Sequence, residues 1–169
     1  MIVQLKKIWF EPSEKQKKLN EWIAYFLLLV AAILIYRYQI RLLHLVEWGD
    51  ESETIVVTKM MATGQKLYSE VYNNHGPLTF LPGFIVSQFG NFSIPIYRIP
   101  IAFLQWISWI AIYTSPIFKH KLQRVFVTLI SAMVMLVFFP RIFGHTYLYQ
   151  VMSGLLYIIV LVQYAFPSY

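Results

Sequence analysis

The feature that most constrains the fold is a nearly unbroken apolar run from Leu19 to about Tyr38. About twenty such residues are what a helix needs to cross roughly 30 Å of hydrocarbon. Comparable apolar runs follow later in the chain, at 97–118, 122–139 and 148–166. Inside a bilayer the backbone has to satisfy its own hydrogen bonds, which favours helices. The sequence therefore predicts an all-α polytopic membrane protein with about four transmembrane helices, at 19–40 and at the three later runs.

Composition supports this class and excludes others. The chain is 58% hydrophobic and only 13% charged, about half the charged share of an ordinary soluble domain. Its net charge of +6 comes from Lys and Arg that lie beside apolar runs, which indicates contact with anionic membrane lipids and not with nucleic acid. The absence of cysteine excludes disulfides and thiolate-ligated metals.

The basic residues also predict the orientation in the membrane. The tail 1–18 contains five lysines, and another basic cluster begins at the short loop 119–121. By the positive-inside rule both lie in the cytoplasm, so that 41–96 and 140–147 form loops on the exterior, periplasmic face of the cytoplasmic membrane. The apolar segment 77–89 has thirteen residues and contains Pro82, so we expect an interfacial or re-entrant helix there and not a span. The chain is treated as one module, without internal repeats.

The first exterior loop holds five of the eight carboxylates of the chain, and no acidic residue follows it: Glu47, Asp50, Glu51, Glu53 and Glu70. The pattern predicts an amphipathic helix at 51–63 that lies on the membrane, with Asp50 as the cap, Glu53 closing a capping box and Gly64 as a left-handed stop. Four apolar residues would form its membrane face: Val56, Val57, Met60 and Met61. The β-branched run 54–58 would also suit a strand.

Two carboxylates side by side at a helix N-terminus are candidates for chemistry. The helix dipole favours their ionised form, so Asp50 and Glu51 are suited to act as a base or as metal ligands. The alternative is a solvated helix cap without chemistry. His75 has the same two interpretations, as a polar turn residue or as a contact to a phosphate or a metal.

The ordered set of motifs in this loop resembles a known family. An Asp-Glu pair soon after the first span, a short helix that ends before Leu67-Tyr68, and then His75-Gly76-Pro77-Leu78 are similar to the first exterior loop of the GT-C membrane glycosyltransferases. The nearest branch is that of the dolichyl-phosphate-mannose protein mannosyltransferases and the lipid A aminoarabinose transferases. More loosely, the resemblance extends through Arg98 and the later spans.

The resemblance implies a transferase that takes a sugar from a polyprenyl-phosphate carrier and transfers it, with inversion, to an acceptor hydroxyl on the exterior face. Asp50 matches the catalytic aspartate of the family, and Glu51 matches its acidic partner. Many relatives have Glu-Lys-Pro-Pro where this chain has Asn74-His75-Gly76-Pro77, so one carboxylate is missing. A divalent metal is compatible with the family, with ligands among Asp50, Glu51 and His145.

The leaving phosphate needs a positive, polar environment, which exterior residues of the chain would supply. The residues assigned to lipid-phosphate or substrate binding are His75, Asn74, Tyr68, Lys66, Arg98 and Arg141. For Arg98 and Arg141 the alternative role is anchoring of helix ends to lipid phosphates.

Two other functions fit the sequence. One is a non-catalytic small membrane subunit that docks a partner through the exterior loop. The other is a carrier or flippase element for polyprenyl lipids, although no span has an acidic residue near its middle, as ion-coupled transport tends to use. Since relatives in the family have many more spans, the resemblance also implies an N-terminal portion that works with missing C-terminal sequence or with a further polypeptide.

Overall fold

A computed structural model of the chain describes residues 13–46, 49–90, 92–141 and 144–164. These residues form one short 3-10 turn, Pro77–Thr79, and six α-helices: α1 (Glu14–Leu43), α2 (Gly49–Ala62), α3 (Leu81–Ser87), α4 (Ile94–Thr114), α5 (Lys121–Phe138) and α6 (Tyr149–Tyr164). The all-α prediction is confirmed for the described residues, where Leu67 and Val71 form an isolated β-bridge. Most of the predicted cytoplasmic tail and the end of the predicted fourth span lie outside the described residues.

Three helices, α1, α4 and α5, are long and apolar enough to cross a membrane. The first is longer than the predicted span because Ser13 caps it in a capping box with Gln16, and the helix continues for 30 residues to Leu43. Helices of transmembrane length and hydropathy are thus confirmed for three of the four predicted spans, and their crossing of a membrane stays a prediction. With 16 described residues, α6 is about 24 Å long at 1.5 Å per residue, and its crossing stays a prediction.

The long helices alternate in direction. At one end Lys121 Nζ of α5 lies 3.9 Å from Glu21 Oε2 of α1, and the Ser115 hydroxyl after α4 donates to the carbonyl of Val162 in α6. At the other end Arg98 of α4 donates to the carbonyls of Leu42, in the last turn of α1, and of Leu45, just after it. Therefore α1 and α5 run one way, α4 and α6 run the other way, and 49–90 lies at one end of the helices.

Two apolar clusters hold this arrangement together. One cluster joins α1, α4 and α5 through Ile35, Trp109 and Ala132. The second joins the loop helix α2 to α4, α6 and the segment before α6: Ile55, Tyr97, Ile101, Tyr147, Met152 and Leu155. The 49–90 segment is therefore packed onto the helices through its own buried residues.

The start of α2 differs from its prediction. The helix begins at Gly49, so Asp50 lies inside its first turn, and the Glu53 carboxylate accepts a hydrogen bond from Asn73 Nδ2 at 2.8 Å. The predicted capping box is wrong, because the helix starts before Asp50 and a loop amide binds Glu53. The predicted stop is confirmed: Gly64 has φ +102°, and the Gln65 amide donates to the Met60 carbonyl at 3.1 Å, as in a Schellman motif.

The apolar face predicted for α2 does not form as one surface. Val57 packs with Val71 and Phe80, with Met60 and Met61 beside them, while Val56 is exposed. Val57, Met60 and Met61 pack against the segment that follows α2, so the prediction of a membrane-facing stripe is wrong for these three residues.

The apolar segment 77–89 also differs from a single helix. It divides into the 3-10 turn Pro77–Thr79 and the seven-residue α3, which has Pro82 in its first turn. Pro82 lacks an N–H and its ring crowds the carbonyl four residues back, which disfavours a continuous helix at this position, whereas a new helix starts there readily.

Candidate functional site: a buried junction beside an exposed polar strip

The centre of the site is an ion pair between α2 and α4. Arg98 Nε donates to Glu51 Oε1 at 2.8 Å and Arg98 Nη2 donates to Glu51 Oε2 at 2.5 Å, in a two-pronged arrangement. Both side chains are 0% exposed. Two charges withdrawn from water need this kind of geometry and further hydrogen bonds to offset their lost hydration.

The remaining donors of Arg98 hold the end of α1. Its Nη1 donates to the carbonyls of Leu42, Leu43 and Leu45 at 3.0, 3.2 and 2.9 Å, and its Nη2 lies 3.4 Å from the carbonyl of Val46. The last carbonyls of a helix have no partner within the helix, and a cation there is favourable. All five N–H groups of the guanidinium thus have protein acceptors, so in this structure Arg98 has no donor left for a phosphate.

A third segment joins through Glu51. The backbone amide of Tyr147 donates to Glu51 Oε1 at 2.8 Å. We call Glu51, Arg98, Tyr147 and the α1 carbonyls the junction. It connects α1, α2, α4 and the segment before α6, and it fixes the first turn of α2 against the helices.

The Tyr147 side chain extends the junction toward α3. Its hydroxyl donates to the Thr79 carbonyl at 2.8 Å and accepts from the Gly83 amide at 2.7 Å. Burial raises the pKa of Tyr147 to about 12. A Cβ on Gly83 would lie 2.7 Å from the Tyr147 oxygen, so this close approach of backbone and ring needs a glycine.

His145 lies next to the junction. It is 8% exposed, and its Nδ1 is buried without a hydrogen-bond partner among the described residues. Burial lowers the pKa of His145, and the neighbouring Arg98 charge adds to this effect. Its neutral form is therefore favoured at neutral pH.

The outer side of α2 has a different character. Asp50 and Glu53, one turn apart, are both exposed. Asn73 links Glu53 to the next turn, since its Oδ1 accepts from the His75 amide at 2.9 Å while its Nδ2 donates to Glu53. We call Asp50, Glu53, Asn73 and His75 the polar strip. In the described part of the chain the Asp50 carboxylate has no ion-pair partner.

An apolar groove begins where the polar strip ends. The His75 ring lies 4.4 Å from the Tyr149 ring, centroid to centroid. Tyr149 is one wall of a groove of about 460 Å³ between α3, α4 and α6, with these lining residues: Leu78, Thr79, Leu81, Pro82, Leu104, Tyr149, Met152, Ser153 and Leu156. The polar strip thus meets the apolar groove at the contact between His75 and Tyr149.

The other predicted site residues lie around these features. Lys66, Tyr68 and Asn74 are exposed on the loop, and the Tyr68 hydroxyl donates to the His75 carbonyl at 2.6 Å, with Tyr68 itself at φ +71°. Arg141 is exposed beyond the end of α5. The structure brings Glu51 together with Arg98 as partners, and places His145 beside them.

Sequence reasoning missed three members of the site: Tyr147, Gly83 and Asn73. The Glu53–Asn73 and Tyr147–Gly83 contacts join residues 20 and 64 positions apart, and no local pattern marks such pairs. The available signal was Gly83 inside an apolar helix, which often marks a close approach of another group.

Within the described ranges, no group of three or more His, Asp or Glu side chains could hold a metal ion. Asp50, Glu51 and His145 do not form such a group, because both oxygens of Glu51 are occupied by Arg98 and Tyr147. A metal here would need ligands beyond these three side chains.

No family model, curated protein or solved structure matches the chain. The resemblance of the exterior loop therefore rests on its own residues and stays an expectation.

Proposed function

We propose that this chain is a membrane glycosyltransferase, or the N-terminal part of one, that transfers a sugar from a polyprenyl-phosphate carrier to an acceptor hydroxyl with inversion. The observation that carries the proposal is the contact of the polar strip with the apolar groove. A polyprenyl-phosphate sugar has the same two parts, a charged head and a long apolar chain. The phosphate would lie at the His75 end of the polar strip with the sugar beside Asp50, and the chain would follow the groove along α3 and α6.

Asp50 is the base in this proposal. As the acceptor oxygen bonds to the anomeric carbon, the bond from that carbon to the phosphate oxygen breaks on the opposite face, and the acceptor proton passes to Asp50. The products are an inverted glycoside and free polyprenyl phosphate. Exposure and the lack of an ion-pair partner among the described residues leave Asp50 accessible to an acceptor.

Glu51 and Arg98 act as positioning residues. Their pairing fixes the first turn of α2, and with it Asp50, against α1 and α4. Because the guanidinium is saturated, the phosphate contacts fall to His75, next to the groove, and to the exposed Lys66, Asn74 and Arg141. Tyr68 supports this set by holding the His75 carbonyl.

Sugar transfer from radiolabelled polyprenyl-phosphate sugars, measured in membranes that contain the full reading frame, tests the proposal. Asp50→Asn should lower the rate at least 100-fold without lowering the amount of protein, since an amide cannot accept the proton. Glu53→Gln removes the neighbouring charge on the same face and keeps the oxygen that Asn73 binds, so its rate should stay within about twofold. Equal losses from the two changes would contradict the role of Asp50.

The same proposal places the chain in the cytoplasmic membrane with its N-terminus inside, 49–90 outside and α6 as a fourth span. The alternating helix directions and the short α3 support it. Single cysteines at Ser69, Ser93 and Lys121 can be probed with an impermeant thiol reagent. Ser69 and Ser93 should react from the exterior and Lys121 should not; labelling of Lys121 with protection of Ser93 would contradict the topology.

A further inference from the structure

A second polar site lies on the other side of the molecule, between α1 and α5. Arg37 and Arg41 line a groove of about 430 Å³ together with Leu34, Tyr38 and Leu136. They are four residues apart, so their side chains lie on the same helix face. Both arginines are exposed, and neither has a hydrogen-bond or ion-pair partner among the described residues.

The groove lies at the same end of the helices as the junction. Gln39, between the two arginines in sequence, faces inward and donates to Gln105 Oε1 at 2.7 Å, and Gln105 in turn donates to the carbonyl of Gly144 at 2.6 Å. Leu42, next to Arg41, has its carbonyl bound by Arg98. At this level an apolar helix approaches the headgroup region, where arginine side chains extend to the membrane surface.

The lining of the groove indicates what binds there. Guanidinium groups bind phosphate oxygens through paired hydrogen bonds, and two of them one turn apart can hold one phosphate from two sides. Leu34 and Leu136 supply an apolar wall suited to an acyl chain, and the described lining contains no carboxylate to neutralise the arginines. We infer that this groove binds the headgroup phosphate of an anionic phospholipid from the leaflet on the side of the 49–90 segment.

This site is separate from the proposed sugar-transfer site. Its walls are α1 and α5, whereas the apolar groove beside His75 is formed by α3, α4 and α6. The inference therefore holds or fails independently of sugar transfer. A bound phospholipid would brace α1 against α5 beside the carbonyls that Arg98 holds.

The test is lipid retention by the purified full chain in detergent, measured by native mass spectrometry with phosphatidylglycerol and phosphatidylcholine. The wild type should retain more phosphatidylglycerol than phosphatidylcholine. In R37Q/R41Q the ratio of the two retained lipids should fall roughly 25-fold, at about fivefold for each basic side chain near an anionic headgroup. K15Q/K18Q removes the same charge at the other end of α1 and should change this lipid ratio less than threefold. Leu136→Glu, which leaves the arginines and adds a repelling charge to the opposite wall, should reproduce the loss.

Each competing result has a definite meaning. Equal losses in the two double variants would show general electrostatic attraction and overturn the site. Displacement of phosphatidylglycerol by polyprenyl phosphate or by soluble glycerol phosphate, dependent on Arg37 and Arg41, would overturn the phospholipid as the occupant. If R37Q/R41Q does not purify as a folded protein, Leu136→Glu decides, and unchanged retention in that variant overturns the inference.

Discussion

Asp50 and Glu51 are neighbours on one helix turn, yet their surroundings are opposite. Glu51 is 0% exposed and accepts from two nitrogens of Arg98 and from the Tyr147 amide. Asp50 is exposed, and no described residue pairs with it. Successive helix residues point about 100° apart, so one step along α2 separates the junction from the polar strip. An adjacent acidic pair is therefore not one functional unit: one carboxylate holds the structure and the other is available to a ligand.

The comparison also separates what each region contributes. The side chains of Glu51, Arg98 and Tyr147 in the junction are fully buried and hydrogen-bonded, which makes it a structural element. In the polar strip Asn73 is buried and bonded to Glu53, whereas Asp50 is exposed and has no ion-pair partner among the described residues, so Asp50 is its accessible part. Variants on the two sides of α2 should therefore change different quantities.

The largest effect is expected from Glu51→Gln. A neutral amide leaves the buried Arg98 charge uncompensated, and breaking a buried pair in this way costs about 3 to 5 kcal/mol. The thermal midpoint followed by tryptophan fluorescence in detergent measures the loss. The same substitution two residues later, Glu53→Gln, is the control, with a change below about 0.5 kcal/mol. Similar midpoints for the two variants would remove the distinction between junction and strip.

Tyr147→Phe should have the next largest effect. It leaves the Gly83 amide without its acceptor and the Thr79 carbonyl without its donor, and a buried unsatisfied group costs about 1 to 3 kcal/mol. Tyr149→Phe is the matched control, since the hydroxyl of the exposed Tyr149 has no hydrogen-bond partner among the described residues. The same fluorescence melt applies, and equal destabilisation by the two changes would show that the Tyr147 hydroxyl does not support α3.

A smaller effect is expected from pH at His145. Its folded-state pKa lies below the ordinary 6.5, so between that pKa and 6.5 the unfolded chain binds more protons than the folded chain. The contribution of His145 to the free energy of unfolding is therefore fully present above about pH 6.5. It declines as the pH falls, by at most about 1.4 kcal/mol per pH unit.

Melts at pH 7.5 and 5.5 test this, with His145→Gln as the comparison. The charged groups that face His145 are Arg98 and Glu51, and because they are unchanged in the variant they contribute equally to both proteins. The wild type should lose more stability than the variant on acidification. A larger loss in the variant would show that His145 gains a proton on folding.

Local patterns predicted most of the fold. Apolar runs located the long helices, because a span of hydrocarbon demands a known number of residues, and Gly64 located the end of α2 because only a left-handed residue fits there. The predicted start of α2 is wrong because the Glu53 carboxylate binds the side-chain amide of Asn73, 20 residues away, and does not close a capping box at Asp50. The split of 77–89 follows from Pro82, which disfavours one continuous helix as well as a membrane span.

The charged members of the candidate site and His75 could be predicted from the sequence, but their contacts and the members Tyr147, Gly83 and Asn73 could not. Asp50, Glu51, His75 and Arg98 were all selected from residue type and loop position. That Glu51 and Arg98 are partners depends on how α2 packs on α4, 47 residues away along the chain. Charge type alone cannot distinguish a cation that binds a phosphate from one that binds a buried carboxylate, so Arg98 was assigned to the ligand when its donors serve the fold.

Apart from the control variants, the smallest change in stability is expected from Asp50→Asn, and this sharpens the comparison further. Asp50 lies in the first turn of α2, where a negative charge is favourable by about 0.3 to 1 kcal/mol at an exposed position. The asparagine amide loses only that interaction, so the free energy of unfolding should fall by less than about 1 kcal/mol. Set beside Glu51→Gln, one position away, it should differ by at least about 2 kcal/mol. A large loss for Asp50→Asn would mean that Asp50 has a structural partner, and any loss of sugar transfer in that variant would then reflect folding and not proton transfer.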